Sequence, residues 1–146
     1  MIKRILTLIG LILVVFLTSC SQAKEVTMGG TPVPDPETGK ATAIGRALWK
    51  KDGAPYRFTL VRLAEVVRQG DEGLFVLDQA FSPGSRTDEN GYFVFKNIPA
   101  GEYVLVVGDV MTVYKIIPEQ GDQAKVFDVL ADVVTDLGTV RVDLSP

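Results

Sequence analysis

The chain of 146 residues carries 15 basic and 18 acidic residues, with a single cysteine and no histidine. The absence of histidine excludes the usual general base, the usual zinc ligand and every catalytic triad that depends on an imidazole. The acidic balance argues against nucleic acid as a partner, because phosphate backbones are bound by basic patches that displace counterions.

The first 19 residues have the pattern of a secretory signal peptide. Lys3 and Arg4 precede a nearly uninterrupted apolar run of 13 residues that ends at Leu17. This run is too short to span a bilayer comfortably. The sequence Leu-Thr-Ser-Cys at 17–20 resembles the lipobox of bacterial lipoproteins. The resemblance implies cleavage after residue 19 and acylation of Cys20, which is the predicted lipid-attachment residue.

Lipidation predicts an extracytoplasmic protein that is anchored to the cell membrane through palmitate or a similar acyl group. Removal of residues 1–19 would leave 127 residues with 13 basic and 18 acidic side chains, the size of one domain. Because this charge disfavours anionic headgroups, we expect attachment through two or three acyl chains, at roughly 0.8 kcal/mol per methylene. Ser21 replaces the aspartate that often retains lipoproteins in an inner membrane, so the outer membrane is favoured where one exists.

Residues 20–40 are predicted to be the lipidated N-terminus and a flexible linker. Prolines stand at positions 32, 34 and 36 among glycine and polar residues, and the segment offers little apolar surface to bury. This composition favours an extended, polyproline-like path that would hold the domain clear of the headgroups. The alternative is a disordered tail whose length has no role.

Residues 41–146 are predicted to form one all-β domain. Short apolar runs alternate with turns of Gly, Pro, Asp and Asn, which is typical of a β-sandwich or barrel with seven to eight strands. The spacing within 126–137 also fits a helix, but its valines favour a strand. The predicted strands are Ile44–Trp49, Phe58–Val67, Leu74–Leu77, Tyr92–Phe95, Tyr103–Val107, Val113–Ile117, Val126–Leu130 and Leu137–Val142.

Residues 87–107 carry the most specific motif after the signal. A turn at 88–91 precedes a strand on which Phe93 and Phe95 share one face, and a turn at 99–101 precedes another alternating strand. This segment resembles the carboxypeptidase regulatory-like domains and their motif T-D-x-x-G-x-F-x-F-x-x-L-P-x-G-x-Y-x-L-x-V. It agrees at every specified position except one, where isoleucine replaces leucine.

The resemblance implies a prealbumin-like Greek-key β-sandwich over residues 41–146, with 68–86 as a longer and more divergent connection. In that family the domain is usually an accessory, and its shared motif builds turns and core, so no catalytic residue carries over. Related sandwich domains bind carbohydrate. We therefore expect a non-catalytic binding or structural module that works through protein contacts. A carbohydrate-binding lipoprotein of the same fold is the alternative.

Candidate binding residues are few. Trp49, Tyr92 and Tyr114 are candidates for ligand-facing aromatic rings, although aromatic residues are common in strand interiors and in cross-strand pairs, so packing is the simpler explanation. The acids near Asp88 suggest calcium only weakly, because Asp and Asn are ordinary turn residues. We therefore predict no metal, no cofactor and no catalytic residue. Exposed sheet edges and the 68–86 connection are the places where a partner is expected.

Overall fold

The computed structural model describes residues 26–70 and 72–145. The predicted signal peptide at 1–19, the predicted acylation site Cys20 and linker residues 21–25 lie outside this part. Throughout the described part the secondary structure is β and includes no helix. Its strands are β1 (Thr27–Met28), β2 (Thr31–Pro32), β3 (Ala41–Trp49), β4 (Leu60–Gln69), β5 (Glu72–Val76), β6 (Gly84–Arg86), β7 (Tyr92–Ile98), β8 (Gly101–Gly108), β9 (Tyr114–Ile116), β10 (Pro118–Gln120), β11 (Gln123–Ala124), β12 (Val126–Val129) and β13 (Val134–Val142).

Two sheets form the sandwich. The smaller has the order β13-β3-β7, with β13 parallel to β3 and β7 antiparallel to it. The larger has the order β12-β8-β4-β5, with β9 beside β8 and β6 beside β4. Strands β9 and β12 pair with different segments of β8, one after the other along the same side. Strands β5 and β6 do the same along β4, so this sheet is four strands wide. The described strands thus occupy seven sandwich positions, and the predicted all-β sandwich is confirmed.

The core lies between the two sheets and is built from alternate residues. Phe93 and Phe95 of β7 are almost fully buried and meet edge to face, with ring centres 5.6 Å apart. Leu105 and Val107 face them from β8. Ile98, the isoleucine that replaces leucine in the motif, is buried in the same core. Burial of each such side chain contributes roughly 1.5–3 kcal/mol, so this alternation is the main source of stability.

All eight predicted strands are present, including the one in 126–137 that also fitted a helix. Within β12, Phe127 and Val129 are buried while Val126 and Asp128 are exposed, which is the period of a strand. Asp132 has a φ of 63° in the turn that follows. This turn sends the chain from one sheet to the other, so no single helix could satisfy both pairings.

The described part of the predicted linker packs against the sandwich. Strands β1 and β2 form a small hairpin, and Val33 is buried behind them. The amide of Glu37 donates to Asn97 Oδ1 at 2.9 Å, and the amide of Gly39 donates to Asp132 Oδ1 at 2.6 Å. The boundary at residue 40 stays a prediction, but residues 26–40 have more contacts than a free linker would.

Besides β1 and β2, the described strands β6, β10 and β11 were not predicted from the sequence. The short β6 pairs with the start of β4, and β10 and β11 form a hairpin that begins at Pro118. Each is two or three residues long, below the length at which an alternating pattern can be recognised. Within the residues that the structure covers, no helix is long and apolar enough to cross a membrane.

Candidate functional site

Trp49, the first predicted ligand-facing ring, lies at the end of β3 and is partly buried. Its indole stacks on the ring of Tyr56, with centroids 4.3 Å apart and planes 24° from parallel. Tyr56 is buried, its hydroxyl donates to the carbonyl of Val142, and it accepts a hydrogen bond of 3.0 Å from the amide of Leu144. Burial raises the pKa of Tyr56. One face of the Trp49 ring is therefore covered by Tyr56 and cannot contact a ligand.

Tyr92, the second predicted ring, is covered by its neighbours. The guanidinium of Arg46 lies 4.8 Å from the ring centroid. A methyl group built on Gly29 of the β1–β2 turn would come within 2.8 Å of Tyr92 Cε2. The hairpin therefore rests on this ring, and glycine permits both the close approach and the φ of 58°. Tyr92 holds the N-terminal segment in place.

Tyr114, the third predicted ring, is the most accessible of the three, at 46% exposed. It lies on β9 of the larger sheet, whereas Trp49 and Tyr92 belong to the smaller one. The structure therefore does not gather the three rings on one face. Tyr114 and Trp49 do lie at the same end of the sandwich, near Leu144. The amide of Leu144 donates to the hydroxyl of Tyr56, on which Trp49 stacks. The side chain of Leu144 lies close to Gly108, which pairs with Tyr114.

The acidic turn at 88–91 is explained by its own backbone. Asp88 Oδ1 accepts hydrogen bonds of 2.8 Å from the amides of both Asn90 and Tyr92. This is the usual role of aspartate in a turn. Across residues 26–70 and 72–145 no group of three or more acidic or other metal-ligating side chains is close enough to hold an ion.

The most unusual surface of the molecule lies in the 68–86 connection. All five residues of β5 are exposed, among them Leu74 at 67%, Phe75 at 45% and Val76 at 52%. Phe81, in the loop that follows, is 87% exposed. We call β5 and this loop, residues 72–82, the β5 arm. Large apolar side chains exposed together on one strand and the following loop are typical of a contact site.

The β5 arm is held in place by its own hydrogen bonds. Asp78 Oδ1 accepts from the amides of Ala80 and Phe81, at 2.7 and 3.2 Å. The Oγ of Ser82 accepts from the amide of Asp78 at 2.8 Å, and the amide of Ser82 donates back to the Asp78 carbonyl. The turn is thus fixed, and it presents the Phe81 ring to solvent.

Strand β5 is also an edge of the larger sheet. It pairs with β4 on one side only, from Gln69↔Glu72 to Glu65↔Val76. Because Gln69 and Glu72 are paired and only two residues separate them in the sequence, they are expected to form a hydrogen-bonded pair. Alternation then leaves the backbone N–H groups of Gly73 and Phe75 on the open side. An extended chain could pair with this edge.

Two clefts flank the edge, one on each face of the sheet. The outer cleft has a volume of about 400 Å³ and runs from Phe75 past Val66 and Val104 towards the β10–β11 hairpin. The inner cleft, of about 150 Å³, lies between Val76 and Phe81. A strand added to β5 would therefore find a cleft for side chains on either of its faces, mixed in polarity on the outer face and more apolar on the inner one.

The charge around these clefts is acidic. Glu119 lines the outer cleft, and Glu65 and Asp78 line the inner one. The cation in the outer lining is Arg68, whose guanidinium donates two hydrogen bonds to Glu102, at 2.6 and 2.7 Å. This pairing raises the pKa of Arg68 and lowers the pKa of Glu102. Since Arg68 is already neutralised, the surroundings of β5 favour a basic partner.

Comparison with known proteins adds similarity of fold. No protein-family model matches the chain, and no curated protein matches it. Among solved structures, the pilus 2b backbone protein of group B streptococcus is 12% identical, with 70% of this chain and 40% of that chain covered and a TM-score of 0.40. A 9R-lipoxygenase from Cyanothece is 18% identical, with 82% and 19% covered and a TM-score of 0.40.

A third solved structure is a Pseudomonas aeruginosa protein assigned provisionally as carbohydrate-binding. It is 20% identical, with 71% of this chain and 91% of that chain covered and a TM-score of 0.37. This chain spans less than half the length of the pilus protein and of the lipoxygenase. At these identities the likeness concerns the fold alone. The class that the fold and site define is an all-β sandwich module with an exposed apolar edge.

Proposed function

We propose that the protein is a non-catalytic, lipid-anchored module of the extracytoplasmic surface that binds an extended segment of another protein along β5. The observation that carries the proposal is the five-residue edge strand on which every residue is exposed and three adjacent ones are large and apolar. Backbone pairing with such an edge supplies affinity, and pockets for alternate side chains supply specificity. The acyl chains on Cys20 would keep the module at the membrane.

Strand β5 lacks the features that normally protect an edge strand from pairing with other chains, and this supports the proposal. Free edges normally carry charge, proline or a bulge, because an open apolar edge pairs with other chains. β12, the opposite edge of the larger sheet, is less apolar at its surface, with Val126 only 36% exposed and Asp128 beside it. On β5 the one charged residue is Glu72, at the start of the strand. This difference favours β5 as the docking edge.

The side chains around β5 indicate the chemistry of the partner segment. An added strand would place alternate side chains against Phe75 on the outer face and against Leu74 and Val76 on the inner face. Apolar side chains fit both clefts. Lysine or arginine at the ends of the segment would meet Glu65 and Glu119. The proposed partner is therefore an extended segment with an apolar centre and basic flanks.

Site-specific photo-crosslinking tests this proposal. A benzophenone amino acid is placed at Leu74 in the full chain, and in a second sample at Leu130, which is 63% exposed on the far side of the sheet. Both are irradiated in membranes of the native host, and the joined peptides are mapped by mass spectrometry. We expect a discrete product from position 74, joined to an apolar segment with basic flanks, and none from position 130.

A backbone variant completes the test. Phe75→Pro removes an N–H from the open side of β5, and an edge strand tolerates proline there. We expect the cross-link at 74 to disappear while the melting temperature stays within a few degrees. Equal cross-linking from positions 74 and 130 would overturn the proposal. So would a product that joins two copies of this chain, or one that survives Phe75→Pro.

A further inference from the structure

The N-terminal strap, by which we mean residues 26–40, is fastened to the sandwich by residues far along the chain. The amide of Glu37 donates to Asn97 Oδ1 at 2.9 Å, and Asn97 Nδ2 donates back to Glu37 Oε1 at 2.8 Å. The amide of Asp132 donates to the carbonyl of Lys40 at 2.6 Å. These hydrogen bonds fix the end of the strap against the fold.

The strap also covers the outer face of the smaller sheet. Alternation along β3 points Thr42 and Ile44 away from the core between the sheets, yet they are only 1% and 5% exposed. The hydroxyl of Thr42 donates to the carbonyl of Pro34 at 3.4 Å, and Ile44 lines a small cleft together with residues 27–29. Val33 is buried as well. The strap is therefore a packed layer of the molecule.

The strap joins the sandwich near the start of β3. The amide of Val33 donates to the carbonyl of Val26 at 2.9 Å, so the first described residue lies beside Val33. One residue later the strap contacts Thr42, the second residue of β3. The turns at 99–100 and 130–133 lie at the same place, because they adjoin the pairing partners of the first residues of β3. We call this the anchor end.

The β5 arm lies at the anchor end too. Strand β8 begins there, after the turn at 99–100, and its third residue, Tyr103, pairs with Glu65 of β4. By this register the rest of β4 runs towards the anchor end, where Arg68 contacts Glu102. Strand β5 pairs with this part of β4, from Glu65 to Gln69.

The opposite end of the sandwich is about 30 Å away, since β3 has nine residues of about 3.3 Å each. There the turn after β3 contains Lys51, which is exposed. A cleft of about 300 Å³ lies at this far end, and its lining includes Lys50, Lys115 and Arg141.

We propose that the strap turns the anchor end towards the bilayer, so that the β5 arm binds a membrane-proximal segment of a protein in the same membrane. This inference rests on the proposed acylation of Cys20 and docking at β5. Six peptide units join Cys20 to Val26, and fully extended they span at most about 20 Å. If residues 20–40 were all free, the span could reach about 70 Å. Packing of the strap therefore keeps β5 close to the membrane.

Quenching by lipid headgroups tests the orientation. Single cysteines replace Ala100 at the anchor end or Lys51 at the far end, both of which are exposed. Each acylated full-length chain is labelled with a fluorophore and placed in vesicles whose lipids carry nitroxide headgroups. We expect stronger quenching at position 100 than at 51. Equal quenching, or stronger quenching at 51, would overturn the orientation, and palmitate labelling of the same samples shows separately whether the anchor is present.

A spacer tests where the partner lies. Twenty Gly and Ser residues are inserted between positions 25 and 26, and a control carries the same spacer after Pro146. For a partner in the same membrane, we expect the cross-link from position 74 to fall about tenfold with the first spacer, because effective concentration declines as roughly the −3/2 power of tether length. The control should cross-link like the parent.

Two results of the spacer experiment would contradict the inference. An unchanged yield with the spacer at position 25 would show that the partner is not confined to the membrane, while docking at β5 would stand. The absence of any cross-link from position 74 in the parent would overturn docking at β5, and this inference with it.

Discussion

Gly45 offers the sharpest test of how tightly the two sheets pack. This glycine is buried in β3, opposite Phe93 of β7. A methyl group added there would lie 2.5 Å from Phe93 Cζ and 3.1 Å from the carbonyl oxygen of Gly138. Phe93 is 1% exposed and packs against Phe95, so its ring has nowhere to move without disturbing the core.

Gly45→Ala can raise or lower the free energy of unfolding, and the direction shows whether crowding in the core or the entropy of the unfolded chain dominates. An alanine that fits stabilises a protein by about 0.4–1 kcal/mol, because the unfolded chain loses freedom. Overpacking of a core costs about 1–3 kcal/mol. We expect the crowding to dominate, with a net loss of about 1–2 kcal/mol. At about 2.1 cal/mol/K per residue over the 119 residues that the structure describes, the melting temperature falls by about 4–8 °C.

Urea unfolding followed by the fluorescence of Trp49, the single tryptophan, measures this loss. Gly84→Ala is the control, because a methyl there would meet nothing closer than 3.7 Å. Phe93→Leu should cost less in the Gly45→Ala background than alone, because the smaller side chain leaves room for the methyl. A stabilised Gly45→Ala variant, or strictly additive substitutions, would refute the reasoning.

Three further predictions concern Tyr56 and the membrane anchor. Tyr56→Phe should lower the free energy of unfolding by about 1–2 kcal/mol in the urea assay, because the amide of Leu144 loses its acceptor; an unchanged midpoint would contradict this. Burial raises the pKa of Tyr56 in the folded protein. The stability that its neutral side chain provides is therefore complete below about pH 10, the pKa in the unfolded chain, and is lost as the pH rises through the pKa in the folded state. Melting temperatures between pH 9 and 12 should therefore fall less steeply in Tyr56→Phe than in the parent. Cys20→Ala should abolish metabolic labelling with palmitate and move the protein from the membrane fraction to the soluble one, and a variant that stays labelled would contradict the lipobox assignment.

Local patterns in the sequence were sufficient to predict the strands and the core. The alternation of Phe93 and Phe95, and of Leu105 and Val107, assigns them to one face without knowledge of the fold, because side chains on a strand point to opposite faces in turn. The turn at 88–91 was equally readable, since Asp88 bonds its own neighbours. Short strands such as β10 and β11 have only two or three residues, too few for an alternating pattern to be recognised, so local pattern did not reveal them.

The binding surfaces were only partly predictable. The 68–86 connection was expected as a place for function because it is long and divergent, and the β5 arm lies within it. Strand β5 is an edge because β8 lies on the other side of β4 and no further strand pairs with β5, and the sequence of β5 does not contain this information. Likewise Tyr92 is covered by Gly29, more than 60 residues earlier, through a contact that no local pattern indicated.

The surface of the molecule shows most clearly what the sequence determined and what the tertiary structure added. The sequence by itself determined eight of the described strands, their inward-facing residues, the absence of histidine chemistry and the lipobox resemblance, because each depends on residue type or on near neighbours. The tertiary structure alone decided that Lys50, Lys115 and Arg141 line one cleft and that β5 has no second neighbour. The physical reason is that strand pairing joins residues far apart in the chain, and the location of surface charge depends on those pairings.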